Sequence, residues 1–191
     1  MTLVDRIGAS LASVSTADML AGDLIEGPPA PLREAAVLIA ITDRPEPGVL
    51  LTLRCDGLRD HAGQIAFPGG RIDEGEDPRS AALREAWEEL ALDPGKVRIV
   101  GEADHYKTIT GFGVTPVVAL VPPGLDLVPN PAEVADWFEA PLAFLLNPAN
   151  HKHRETWYKG RLRHYYEIVW DERRIWGATA AMIVNLSRRL A

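Results

Sequence analysis

At 191 residues the chain is long enough for one domain with a full core, and its single cysteine, Cys55, excludes an intrachain disulfide. The net charge of -7 argues against general nucleic-acid affinity, which calls for a basic surface. With no secretion-type start, no cysteine framework and no bilayer-spanning apolar run, the expectation is a cytoplasmic protein without a membrane or nucleic-acid partner, organised as a single domain over 1–191.

Taken in chain order, an amphipathic segment runs to near Gly22. The cluster Gly27-Pro28-Pro29-Ala30-Pro31 then reads as a linker too short to separate domains, so residues 1–31 are expected to form a helical extension and linker. Strands are predicted at 35–41, 49–54, 64–67, 97–101 and 114–121, with an aromatic strand pair around Lys159-Gly160. Helices are predicted over 78–92, briefly over 141–146, and over 178–190. Strands on both sides of a helix, with another helix at the end, imply an α/β fold with a mixed sheet covered on both faces. No internal repeat or low-complexity tract is present.

The helix over 78–92 is the most informative element. Asp77 suits its N-cap, Pro78 its first position, and Asp93-Pro94-Gly95 its exit. Ala82, Leu83, Ala86, Trp87 and Leu90 form the expected core-facing stripe, with Glu85, Glu88 and Glu89 to one side. Carboxylates at this spacing share a face and repel at neutral pH. Such a stripe is usually a solvated face, but it also suits a divalent cation that prefers oxygen ligands.

The surrounding residues favour the second reading. Gly70, Glu76 and the run Arg84-Glu85-Ala86-Trp87-Glu88-Glu89 resemble the box of the Nudix hydrolases, here residues 70–92. Ala91 departs from that pattern, where the family usually has glycine; Gly95 offers a later helix stop. Upstream, Leu50-Leu51-Thr52, Arg54, Arg59, Gly63 and Phe67-Pro68-Gly69-Gly70 resemble the extra signature of the coenzyme A pyrophosphatase branch, with Cys55 in place of a small Ser or Ala. Weaker similarity surrounds His151 and Ile175 to Ala180.

The resemblance implies a Nudix-type α/β/α sandwich that uses Mg2+ or Mn2+ to hydrolyse coenzyme A or acyl-CoA into 3′,5′-ADP and a 4′-phosphopantetheine product. Cations neutralise the anionic oxygens shielding a diphosphate and lower the pKa of the attacking water. Glu85 and Glu89, one turn apart, are the first choices as metal ligands, with Glu88 completing the set. Glu85, Glu88 and Arg84 form the expected catalytic group, although Arg84 is read as tying loop to helix through a carboxylate such as Glu76. Gly69 and Gly70 are expected to turn sharply and let the backbone approach metal or phosphate.

Arg54, Arg59 and His61 suit charge-assisted contacts to the phosphates of coenzyme A. The general base is left open among Glu85, Glu133 and Asp171. His61, His105 and His151 are read as structural or substrate-edge residues, since no pair of them has close metal-ligand spacing, and Trp176 as core. Hydrolysis of ADP-ribose or a dinucleotide diphosphate is the alternative reaction, and a non-catalytic nucleotide-derivative sensor the alternative class. The expected partner is a small-molecule substrate, and monomer and homodimer both remain open.

Overall fold

The computed structural model describes residues 2–13, 19–23, 31–56, 63–158 and 160–191. In chain order its elements are α1 (Leu3–Ala12), β1 (Arg33–Thr42), β2 (Gly48–Arg54), β3 (Ile65–Ala66), β4 (Gly69–Arg71), α2 (Pro78–Leu90), β5 (Arg98–Glu102), β6 (Tyr106–Lys107), β7 (Phe112–Val121), β8 (Val134–Pro141), α3 (Leu142–Leu146), β9 (Lys152–Tyr158), β10 (Arg161–Trp170), β11 (Arg173–Trp176) and α4 (Ala178–Leu190).

β1 explains the layering. Its apolar run is buried on both faces, as a strand covered on each side requires. Ala36, Leu38 and Ala40 face Ala81, Ala82, Ala86 and Leu90 of α2. The alternate residues Ala35, Ile39 and Ile41 belong to a second core with Ile7 of α1, Ile168 and Ile175 of the β10–β11 hairpin, and Ile183 and Leu186 of α4. The sheet is therefore a filled middle layer, the α/β/α arrangement expected.

β1 and β7 run parallel, with Arg33 opposite Phe112 and Thr42 opposite Val121. The main path is β3-β2-β1-β7-β5, with β4 on β1, β6 on β7 and β8 on β2. A smaller antiparallel sheet, β11-β10-β9, contains the aromatic strand pair expected from the sequence.

The amino-terminal helix is tied to the body. Thr2 and Asp5 form a reciprocal capping box, while Ser10 Oγ donates to the Arg189 carbonyl at 2.6 Å. Farther on, Asn185 holds Leu20 through both its amide oxygen and nitrogen. The proposed linker positions 27–30 lie outside the described residues.

The structure differs from the sequence expectation at β8 and at the exit of α2. β8 was absent from the predicted strands because Asp136, Glu139 and flanking prolines dilute its apolar signal; antiparallel pairing with β2 supplies what the local pattern lacks. The exit of α2 also differs. The helix ends at Leu90, and Ala91 itself takes the left-handed conformation at φ 54°. Asp93-Pro94-Gly95 does not stop it: Pro94–Lys96 forms a separate 3-10 turn capped by the Asp93 carboxylate.

Candidate active site

Asp77 accepts from the amides of Arg79 and Ser80, at 2.9 and 3.1 Å, and Pro78 occupies the first turn as its missing N–H permits. The small residues Ala81, Ala82 and Ala86 let α2 lie close on the sheet. Trp87, expected in that stripe, is instead 53% exposed, and Ala81 takes an inward place. A helix surface is fixed by its neighbours as well as its own period, and the sheet here meets the alanine side.

Arg84 links the loop before α2 to the helix. Its guanidinium donates to both Glu76 carboxylate oxygens at 3.0 Å, to the Arg71 carbonyl at 2.9 Å and to Glu85 at 2.8 Å, with Glu88 at 3.4 Å. These bonds hold Glu76 below the usual carboxylate range and Arg84 above the usual guanidinium range. Arg84 was expected among the catalytic groups. Its engaged donors make it a positioning residue, in agreement with the tie to Glu76 read from the sequence.

Glu85 and Glu89 turn inward, whereas Glu88 is half-exposed at the rim. Burial raises Glu85, against the opposing pull of Arg84. The effect is larger at Glu89, which is 2% exposed and pushed up to about 8 by burial, with the Arg54 charge opposing. The backbone of nearby Gly69 also opposes the rise, as the smallest of the named influences. Arg54 Nη1 lies 3.5 Å from Glu89 Oε1, while Glu89 Oε2 and Arg54 Nε are buried with no hydrogen-bond partner. Arg54, read as a phosphate contact, is thus also the counter-charge of Glu89.

Gly69 and Gly70 are strand residues of β4 without the positive φ of a sharp glycine turn, so that part of the expectation is corrected. Close approach is what they provide. A Cβ on Gly70 would lie 2.5 Å from the Glu85 carboxylate, and one on Gly69 would strike Val37 and the Ala36 carbonyl. β4 pairs with β1 through Ala36 opposite Gly70 and Val37 opposite Gly69, bringing this backbone beneath the helix carboxylates.

Of the candidate bases, Glu133 is brought to the cluster. The Cys55 amide donates to its carbonyl at 2.9 Å, and the Asn130 amide donates to the Glu89 carbonyl at 2.8 Å, fastening this loop to β2 and α2. The charge of Glu133 acts on both Glu85 and Glu89, raising each. Asp171 sits instead in the β10–β11 turn at positive φ, paired with Arg173 at 3.0 Å. Arg59 and His61 lie outside the described residues.

The His151 ring bonds the Leu145 carbonyl at 2.7 Å and is structural; His105 is 3.5 Å from Glu34. Trp176, read as core, is half-buried and packs edge-on to Tyr165.

The donor chemistry fits a divalent cation. Glu85, Glu89 and the rim Glu88 supply hard oxygen ligands, Glu89 has an orphan buried oxygen, and Gly70 leaves the space a side chain would fill. The three glutamates do not each bring an oxygen within 4.8 Å of the other two; among the described residues, a different set of side chains does that.

Residues 32–159 match the NUDIX domain family. The chain is similar to the Escherichia coli K12 protein named uncharacterized Nudix hydrolase NudL, with 40% identity over 159 residues, 83% of each chain. Among solved structures it resembles the M. smegmatis Nudix hydrolase RenU, at 27% identity and TM-score 0.51, covering 60% of this chain and 73% of that one. It also resembles the fold of a C. elegans Ap4A hydrolase, at 22% identity and TM-score 0.50, covering 57% and 80% respectively. Among the described residues, no helix is long and apolar enough to cross a membrane.

Proposed function

Because this chain belongs to the Nudix family of hydrolases acting on nucleoside diphosphate derivatives, we propose that it hydrolyses the diphosphate bond of coenzyme A or acyl-CoA. The products are 3′,5′-ADP and 4′-phosphopantetheine or its acyl derivative. The observation that carries the site assignment is the buried Glu89 carboxyl with its unpartnered Oε2, set beside Glu85 and the Gly69-Gly70 backbone. The signature from Leu50 to Gly70 supports the choice of coenzyme A.

In this mechanism Glu85 and Glu89 would hold Mg2+ or Mn2+, and Glu88 would complete the set from the rim. A bound divalent cation offsets diphosphate charge and lowers the pKa of water. Glu133 takes the proton from the attacking water, whose oxygen bonds to one phosphorus as the bridging P–O bond breaks. Arg84 holds Glu76 and Glu85 in register, and Arg54 limits repulsion beside Glu89 while facing the anionic substrate. Arg59 and His61 are assigned to the phosphates of coenzyme A from their charge in the sequence alone.

The test is a magnesium-supplemented screen of coenzyme A, acyl-CoA, ADP-ribose and NADH with products identified by mass. Formation of 3′,5′-ADP from coenzyme A or its thioesters, in preference to cleavage of the other substrates, is expected. Preferential cleavage of ADP-ribose or NADH would overturn the substrate assignment, and tight metal-dependent binding without turnover would favour a sensor.

A further inference from the structure

The β9–β10 hairpin, in the smaller of the two sheets, carries a second constellation formed without the α2 glutamates. One ligand atom each from His153, Glu155 and His164 lies within 4.8 Å of the others, and all three side chains are exposed. The register explains the meeting. Glu155 is directly opposite His164, and His153 opposite Tyr166, so the three share one face and His153 lies diagonal to His164. The imidazole rings stack with centroids 5.2 Å apart, and His164 Nδ1 is 3.2 Å from Glu155 Oε1. Tyr166 packs edge-on against His153, supporting it from the next position.

The geometry points to a transition-metal site in this hairpin, formed by His153, Glu155 and His164 and suited to Zn2+ in preference to Mg2+. Imidazole nitrogen favours zinc and its transition-metal neighbours, whereas magnesium selects oxygen. In a tetrahedral zinc site, bonds of about 2.0–2.1 Å place ligand atoms about 3.3 Å apart. The 4.8 Å limit on the observed cluster therefore leaves only side-chain adjustments to bring three exposed ligands onto an ion. Water completes such a site, and the cross-strand ligation clamps β9 to β10. The same face continues inward to buried Ile168, so the clamp joins the exposed end of the hairpin to a strand anchored in the core.

Calorimetric titration of the full chain with Zn2+ under saturating Mg2+ tests this assignment, with the His153→Gln/His164→Gln double variant as control. The wild type should bind one additional Zn2+ that the double variant lacks. Loss of an outer-shell partner alone typically weakens metal binding by about 10–100-fold, so removing two direct ligands should weaken this site by at least ~100-fold. Mg2+-dependent turnover and circular dichroism should be unchanged in the variant. Equal Zn2+ titrations for the two proteins would overturn the proposal, leaving a surface ion pair and ring stack. Histidine nitrogen NMR on the wild type gives an answer independent of variant folding: the His153 and His164 resonances should shift together up to one equivalent, and their failure to do so would likewise refute the site.

Discussion

Replacing Glu89 by Gln should separate the cost of its burial from its catalytic use. The carboxyl is 2% exposed and pushed up to about 8, from an ordinary value of 4.5, with burial the largest cause. Between these values the folded chain retains a proton that the unfolded chain has released. This site's contribution to stability therefore falls as pH rises from about 4.5 toward 8, since the unfolded state binds fewer protons. At about 1.4 kcal/mol per pKa unit, the fall between pH 4.5 and 7 amounts to about 3 kcal/mol. Glutamine has the same shape and does not titrate. In chelator, the stability of Glu89→Gln relative to wild type should therefore rise by about that amount across this interval, measured by urea denaturation at several pH values. Adding Mg2+ should stabilise the wild type more, because binding to the folded state contributes about 2.7 kcal/mol at a hundredfold excess over Kd. Turnover in the folded variant should drop at least ~10²-fold, the scale for losing one preorganised electrostatic group. Parallel pH profiles for the two proteins would refute the burial argument, and near-normal turnover would refute the metal-ligand role.

At the end of α2, Ala91→Gly should stabilise the fold by about 1 kcal/mol by relieving a left-handed alanine, with turnover changed less than tenfold; thermal melts and steady-state rates check both. Glu133→Gln should lower kcat by about 10²–10⁴-fold with little change in KM, whereas Asp171→Asn, in a turn bonded to Arg173, should leave both nearly unchanged. If Arg59 contacts the 3′-phosphate, Arg59→Ala should penalise coenzyme A by about 1.5–3 kcal/mol in kcat/KM and leave dephospho-coenzyme A nearly unaffected. An equal loss on the two substrates would assign Arg59 to the loop or diphosphate.

Short-range chemistry made much of this protein legible. Asp77 and Pro78 mark a helix start through local hydrogen bonding and a missing donor, and one chain turn suffices to bring Arg84, Glu85 and Glu88 together. The pairing of Arg84 with Glu76 followed from opposite charges across a short loop. Periodicity alone misassigned Trp87, because amphipathic spacing defines a possible stripe but the opposing sheet decides which side is covered. It also missed β8, whose pairing with β2 supplies hydrogen bonds invisible to local hydropathy. Arg54 meets Glu89 across 35 positions, and Glu133 reaches the same cluster from a third segment. Likewise, His153 and His164 stand together only once the β9–β10 register is fixed. The sequence determined the local chemistry of α2 because its decisive interactions lie within a few turns. Tertiary structure decided burial and cross-segment proximity, which depend on how distant surfaces fit and how much water they exclude.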